Sequence, residues 1–114
     1  MKPVLSIVIP TYGAPESTEK TVRNLLGFYD EDIEILVSDN DPTGEQIGDR
    51  FDDIKDSRFS YYRNKTNIGR SNNIVRAIEL AKADFAMLCS SEDVIYQEGV
   101  DAVLKTIKKH RISQ

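Results

Sequence analysis

The sequence predicts a single α/β domain: a Rossmann-like three-layer sandwich whose mostly parallel sheet has about four strands. Two observations predict this class. Short apolar, β-branched segments alternate along the chain with segments of helical periodicity, and polar clusters directly follow three of the strand-like segments. Strands separated by helices imply right-handed βαβ crossovers, which make neighbouring strands parallel and cover both faces of the sheet. We therefore assign residues 1–114 to one domain.

Four segments have the character of strands: Val4–Ile9, Ile33–Val37, Arg58–Arg63 and Asp84–Cys89. The first is apolar and is closed by Pro10, which is typical of a fully buried strand. The third is more polar, so we expect it to lie nearer an edge of the sheet.

Four further segments have helical periodicity, and the first begins at Pro15 and Ser17, residue types that favour a helix start. We expect their apolar residues to face the sheet. These are Val22, Leu25, Leu26 and Tyr29 in the first helix, Ile47, Phe51 and Ile54 in a shorter second, Ile74, Ala77, Ile78 and Ala81 in the third, and Val100, Val103, Leu104 and Ile107 in the last.

Composition excludes several classes of protein. With 39% hydrophobic and 30% charged residues, the chain is too apolar for a disordered protein. The net charge of −4 argues against nucleic-acid binding. No apolar run approaches the roughly 20 residues that span a bilayer, and one cysteine fits a reducing compartment. We therefore expect a cytoplasmic protein, with a peripheral contact between its basic C-terminal segment and the inner membrane face as a further hypothesis.

Three strand ends carry polar clusters that a parallel sheet would bring together. They are Pro10-Thr11-Tyr12-Gly13, Ser38-Asp39-Asn40-Asp41 and Ser91-Glu92-Asp93, and Asn67, Gly69 and Arg70 at the start of the third helix join the same rim. In open parallel sheets, ligands bind outside the carboxyl ends of the strands. These clusters are therefore the candidate binding site.

Each cluster suits one part of a nucleoside diphosphate. Tyr12 offers an aromatic face on which a base can stack, and the Asp39 carboxylate can accept an imide N–H, which uracil has and cytosine lacks. Glu92 and Asp93 are hard oxygen ligands suited to Mg²⁺ or Mn²⁺. Arg70 and the amides that open the third helix can contact phosphate oxygens.

Each cluster also has a purely structural interpretation. Asp39 could form an Asx turn, Tyr12 could be a half-buried loop aromatic, and Asn67 and Gly69 could be turn residues. Glu92 and Asp93 could simply begin the last helix. Of the remaining candidates, Asn72 and Asn73 could cap the third helix, Cys89 is expected in the core, and Asn64-Lys65-Thr66 is taken as a chance match to a glycosylation acceptor.

The order of these segments resembles the inverting family 2 glycosyltransferases of GT-A fold. The likeness covers residues 3–107 and is carried by four motifs: Leu5–Tyr12, Ile35–Asn40, the segment from Asn67 through Asn73 to Ala77, and Phe85–Asp93. It implies a donor site for a nucleotide sugar, with a UDP-sugar favoured, formed by Pro10, Thr11, Tyr12, Asp39, Asn67, Gly69, Arg70, Ser91 and Glu92. Asp93 would be the ligand of Mn²⁺ or Mg²⁺. The resemblance further implies a role in the synthesis of a surface glycan or polysaccharide.

The chain departs from the family pattern in three respects. Ser91-Glu92-Asp93 stands where the family has Asp-x-Asp, and Ser38 stands where it often has the first of two aspartates. Third, the acceptor site and the catalytic base of the family follow this segment. We therefore expect a donor-binding part of a longer enzyme that binds donor, transfers sugar poorly by itself, and self-associates through an exposed sheet edge.

Three rival functions fit the sequence less well. A nucleotidyltransferase would need basic residues in the loop after the first strand, which here is Pro10–Pro15 and has none. A phosphoacceptor receiver domain would need an acid pair at that position and a fifth strand. A protein-interaction module remains open but explains none of the three clusters.

Overall fold

The computed structural model describes residues 2–44 and 46–112. In chain order the elements are β1 (Leu5–Thr11), α1 (Pro15–Leu26), β2 (Ile33–Asp39), a 3₁₀ helix (Ile47–Phe51), β3 (Phe59–Arg63), α2 (Arg70–Leu80), β4 (Phe85–Leu88) and α3 (Gln97–Ile112). Every predicted strand and helix is present within a few residues of its expected position. The second helical segment is a single 3₁₀ helix that buries Ile47 and Phe51, as its stripe predicts.

Within the described residues the sheet has four strands in the order β3-β2-β1-β4, and every neighbouring pair is parallel. The predicted parallel sheet is therefore confirmed, and β3 lies at an edge as its polarity indicates. β1 pairs with β2 from Leu5↔Ile33 to Thr11↔Asp39. This register brings the polar segments after β1 and β2 to the same end of the sheet.

Pro10 lies inside β1 and does not close it, contrary to the sequence expectation. The Val8 carbonyl accepts a hydrogen bond from the Cys89 amide, so Val8 turns its backbone polar groups toward β4. Pro10, two residues later, turns the same way, but β4 ends at Leu88 opposite Val8. Because no strand needs an N–H donor there, proline is tolerated in a central strand.

Helices pack on the two faces of the sheet and make three layers. On one face, β1 and β2 pack with α1, α3 and the 3₁₀ helix around a core that includes Ile7, Ile35 and Leu25. On the other, a smaller cluster of Val8, Leu36 and Ala77 joins the sheet to α2. Alternate residues of β1 and β2 supply the two cores, as the pleat of a strand requires.

Three expectations about burial are wrong. Tyr29 is exposed because α1 ends at Leu26, and Ile78 is exposed on α2. The third is that helices cover both faces of the whole sheet: within residues 2–44 and 46–112 no helix covers β4 on the α2 face, and Leu88 there is 52% exposed. Across residues 2–44 and 46–112, no helix is both long and apolar enough to cross a membrane.

Candidate functional site

A cavity of about 550 Å³ lies at the carboxyl ends of β1, β2 and β4. Its lining comes from the three strand ends and from the start of α2: Pro10, Thr11, Tyr12, Asn40, Asn67, Gly69, Arg70, Asn73, Ile74, Leu88, Cys89, Ser90, Ser91 and Asp93. The combination of an aromatic ring, a guanidinium, amides and a carboxylate around one opening is typical of a site for a polar ligand with a planar part.

Tyr12 supplies the aromatic face of the cavity. It follows β1 directly and is 60% exposed, so the interpretation of a half-buried loop aromatic is wrong. The neighbouring Thr11 is buried and shares a hydrogen bond of 2.9 Å with Thr18 of α1, which anchors the end of β1. An exposed ring on an anchored strand end is a ready surface for stacking.

The start of α2 supplies the cationic side of the cavity. Gly69 precedes the helix with φ of 90°, and no side chain among the described residues caps the helix start. Its first N–H groups are therefore available to an anion. Arg70, the first residue of α2, lines the cavity beside them. This edge can bind phosphate oxygens through both the helix start and the guanidinium.

The Ser90–Asp93 turn supplies the acidic side of the cavity. The Ser90 amide donates to Asp93 Oδ2 (2.8 Å), and the Asp93 amide donates to the Ser90 carbonyl (3.0 Å). The Thr21 hydroxyl donates to the Ser91 carbonyl (2.7 Å) and ties the turn to α1. Because α3 begins only at Gln97, the interpretation that Glu92 and Asp93 start the last helix is wrong.

Glu92 faces a second cavity, of about 540 Å³, between α1 and the same turn. Ser91 and Asp93 line both cavities, whereas Glu92 lines only the second. Within residues 2–44 and 46–112, no three His, Cys, Asp or Glu side chains are grouped to hold a metal ion. Asp93 lines both cavities, and its carboxylate is a hard oxygen ligand of the kind that Mg²⁺ takes together with phosphate oxygens.

Asp39 does not line the first cavity. It is 0% exposed, and its Oδ2 accepts a hydrogen bond from the Tyr61 hydroxyl (2.6 Å). Its Oδ1 accepts from the Asp41 amide (3.0 Å), so the Asx turn predicted as one alternative is confirmed. Arg63 Nε lies 3.8 Å from Oδ2. The neighbouring Asn40 takes the place in the cavity that the sequence assigned to Asp39.

Cys89 is among the residues that line the cavity and is fully buried, as expected. Burial, with a smaller contribution from the Asp93 carboxylate, raises the pKa of the Cys89 thiol to about 11. The neutral thiol therefore persists far above neutral pH, and Cys89 is a packing residue.

A family model described as "Glycosyl transferase family 2" matches residues 6–113. The chain belongs to glycosyl transferase family 2. The domain is 29% identical over 107 residues to abequosyltransferase RfbV of Salmonella typhimurium, a match that covers 90% of this chain and 32% of that protein.

Solved structures share the fold of this family 2 domain. S. aureus TarS in complex with UDP-GlcNAc superposes with a TM-score of 0.77 at 21% identity, over 95% of this chain and 32% of that one. The mannosyltransferase PcManGT from Pyrobaculum calidifontis, in complex with GDP-Man and Mn²⁺, gives 0.74 at 14% identity, over 91% and 32%. The domain thus has the GT-A type of fold and spans about a third of the length of these relatives.

The structure of the family 2 domain brings eight of the ten predicted site residues to one cavity: Pro10, Thr11, Tyr12, Asn67, Gly69, Arg70, Ser91 and Asp93. Two expectations about placement are wrong: Asp39 is buried against Tyr61, and Glu92 faces the neighbouring cavity. Binding by any of the ten stays a prediction.

Asn40 and Asn73 also line the cavity, although the sequence assigned a binding role to neither side chain. Strand alternation indicates the position of Asn40, because this residue continues the face of β2 that carries Leu36 and Ser38 and that packs on α2. Asn73 does not cap α2, contrary to one alternative, and its amide instead bonds to Ser38 and Asn64. Asn72 does not hold the capping position either, since its amide donates to the Ile68 carbonyl.

Proposed function

We propose that this domain binds a nucleoside diphosphate sugar, with a UDP-sugar as the favoured donor, for a glycosyltransferase that includes it. One observation carries the proposal. An exposed aromatic ring (Tyr12), an uncapped helix start with an arginine (Arg70) and a carboxylate (Asp93) meet around one cavity of about 550 Å³. Base, diphosphate and cation each have a chemically suited partner there.

The choice of uridine has two supports of different kinds. TarS, which shares the fold, is known in complex with UDP-GlcNAc and with UDP. Asp39 lies at the end of β2, and among residues 2–44 and 46–112 its Oδ1 accepts a hydrogen bond from the Asp41 amide alone. A contact between this carboxylate and a base imide would require a rearrangement of the residues around the end of β2, because Asp39 is fully buried.

Each part of the donor has an expected role for the protein. Stacking on Tyr12 orients the base, while Arg70 and the first amides of α2 hold the diphosphate. Mn²⁺ or Mg²⁺, bound by Asp93 and the diphosphate, would stabilise the negative charge of the departing nucleotide. The chain spans about a third of its relatives, so sugar transfer, the acceptor, the catalytic base and a role in surface-glycan synthesis are proposed for a whole protein. A cytoplasmic location stays a prediction.

Calorimetric titration tests this proposal. UDP, GDP, CDP and dTDP are titrated into the wild type with Mn²⁺ and again with excess EDTA, and we expect UDP with Mn²⁺ to bind most tightly. Tyr12→Ala should lower the affinity for UDP by about 5- to 150-fold, which corresponds to the loss of about 1–3 kcal/mol from one stacked base. Asp93→Asn should remove the difference between Mn²⁺ and EDTA.

Tyr96→Ala is the matched control, because Tyr96 is similarly exposed (69%) and does not line the cavity. Its UDP affinity should equal that of the wild type. If Tyr12→Ala, Asp93→Asn and removal of the metal all leave UDP affinity unchanged, the proposal is contradicted and the protein-interaction module is favoured.

A further inference from the structure

Four asparagine side chains form a hydrogen-bonded network beneath the proposed donor cavity. Asn40, Asn64 and Asn73 are buried, and Asn67 is exposed at the cavity rim. They come from the ends of β2 and β3, from the loop before α2, and from α2 itself. The network thus connects the elements whose relative position defines the cavity.

Asn64 is the hub of this network. Its Nδ2 donates to Asn40 Oδ1 (3.0 Å) and to Asn73 Oδ1 (3.0 Å), and its backbone amide donates to the Asp39 carbonyl (2.8 Å). Asn64 is 9% exposed and does not line the cavity. Any effect of this side chain on a ligand in the cavity must therefore pass through its neighbours.

From the hub, Asn40 reaches the loop before α2. Its Oδ1 accepts from the Ile68 amide (3.0 Å), and its Nδ2 donates to Asn67 Oδ1 (2.8 Å). The same Asn67 oxygen accepts from the Gly69 amide (2.9 Å). Three hydrogen bonds thus fix the backbone immediately before the start of α2.

Asn73 holds α2 against β2. Its Nδ2 donates to the Ser38 carbonyl (3.1 Å), and its Oδ1 accepts from the Ser38 hydroxyl (2.8 Å) as well as from Asn64. The orientation of the Asn40 amide follows from its partners, since a reversed amide would turn its NH₂ toward the N–H of Ile68. A network in which every buried amide is satisfied holds its members in one arrangement.

We propose that Asn64 is a positioning residue for donor binding: through Asn40 and Asn73 it fixes the Asn67–Gly69 loop and the start of α2 against the end of β2. The part of this proposal that concerns donor binding rests on the proposed function, whereas the part that concerns the order of the Asn67–Gly69 loop does not. Without the hub, the first amides of α2 and Arg70 would no longer be held toward the cavity, and a diphosphate would have to order them on binding.

Two variants test this role. Asn64→Asp keeps the shape but replaces the donating NH₂ with an oxygen that faces two acceptor oxygens. Asn64→Ser removes the amide without adding charge, and serves if the aspartate variant fails to fold. Gln46→Glu is the matched control, because it also changes an amide to a carboxylate, at an exposed glutamine just before the 3₁₀ helix that lines neither cavity.

The first measurement is hydrogen exchange of the ligand-free chain. We expect the amides of Ile68 and Gly69 to exchange about tenfold faster in both Asn64 variants, while those of Ile35 and Cys89 in the sheet keep wild-type rates. Equal acceleration of loop and sheet amides would overturn the proposal, because it would mark Asn64 as a general stability residue. Unchanged loop exchange would overturn it as well.

The second measurement is UDP titration with Mn²⁺. We expect UDP affinity to fall about tenfold or more in the Asn64 variants, because both hydrogen bonds donated by the Asn64 amide are lost. The affinity should stay unchanged in Gln46→Glu. Faster loop exchange with unchanged affinity would overturn the positioning role. If the wild type does not bind UDP at all, the proposed function fails, and the exchange data still decide whether Asn64 orders the loop.

Discussion

The Asp39 carboxylate is held at the end of β2 by the Tyr61 hydroxyl and the Asp41 amide. The Tyr61 ring lies close to Gly48, where an added Cβ would come within 2.9 Å of Tyr61 Cε1. Burial and the hydrogen bond to Asp39 raise the pKa of the Tyr61 hydroxyl well above its usual range. The Tyr61 hydroxyl therefore stays a neutral hydrogen-bond donor at physiological pH.

Tyr61→Phe should destabilise the domain by about 1–3 kcal/mol, because it removes a hydrogen-bond partner from a buried carboxylate. Urea unfolding followed by circular dichroism measures the change. Tyr62→Phe, at the neighbouring and more exposed position, is the control and should change stability by less than about 0.5 kcal/mol. Equal stability of Tyr61→Phe and the wild type would contradict the role assigned to this bond.

Among the elements, the C-terminal end of α1 is stabilised by direct hydrogen bonds from Arg58, a residue that lies far along the chain, just before β3. The guanidinium donates to the carbonyls of Leu26, Phe28 and Asp30 at 2.7–2.9 Å and also pairs with Asp56. A cation at a helix C-terminus complements both the unpaired carbonyls and the helix dipole. The hydrogen bonds from Arg58 lower the pKa of Asp56.

Arg58→Met should cost about 2–3 kcal/mol at pH 7, since charged hydrogen bonds are lost at a largely buried side chain. Asp56 has a depressed folded-state pKa, so its contribution is present above the unfolded value of about 3.9 and is lost as pH falls through the folded value. The difference in unfolding free energy between Arg58→Met and the wild type should therefore become smaller below about pH 4. It should not vanish, because the hydrogen bonds to the backbone carbonyls do not titrate. Urea unfolding at pH 7 and pH 3 measures it, with exposed Arg76→Met as the control. A gap that widens in acid would contradict this account.

The start of α2 depends on the backbone of Gly69, whose φ of 90° is strained for other residues. Nothing lies within 4 Å of a Cβ added there, so Gly69→Ala tests the backbone alone. We expect a loss of about 1–3 kcal/mol. Gly99→Ala, also in open space but within α3, should instead stabilise the domain by about 0.5–1 kcal/mol. Thermal unfolding compares the two variants, and a shift of the same sign in both would contradict the prediction.

At the scale of the whole molecule, β4 forms one edge of the sheet and has an open face toward the α2 side. Ala86 and Leu88 are exposed on that face, and β1 is the strand with which β4 pairs. An edge strand with exposed apolar side chains is a template for association with another chain.

We expect the domain to associate as its concentration rises, and Ala86→Lys to suppress this, because a charge on an edge strand opposes pairing. Sedimentation velocity over a range of concentrations measures the effect. Val75→Lys, which adds the same charge at an exposed apolar residue of α2, is the control and should still associate. A wild type that stays monomeric throughout would contradict the expectation.

The sequence by itself determined the class of fold and the end of the sheet that carries the site. Alternating periodicities predict parallel βαβ units, and parallel strands gather their carboxyl ends. This is why Tyr12, Arg70 and Asp93 were predicted together although they lie far apart in the chain. The identity of Asn64 as a buried hub had no such signal, since its local sequence is that of a polar loop.

Only the tertiary structure decided which side chains face the cavity. Strand alternation puts Asp39 on one face of β2 with Ile35 and Val37, and Asn40 on the other face with Leu36. That pattern does not say which face borders the open space. The packing of Tyr61 against the first face and of α2 against the second buries Asp39 and leaves Asn40 at the cavity. Which face of β2 borders the cavity is thus decided by contacts between segments distant in sequence, and local periodicity does not encode those contacts.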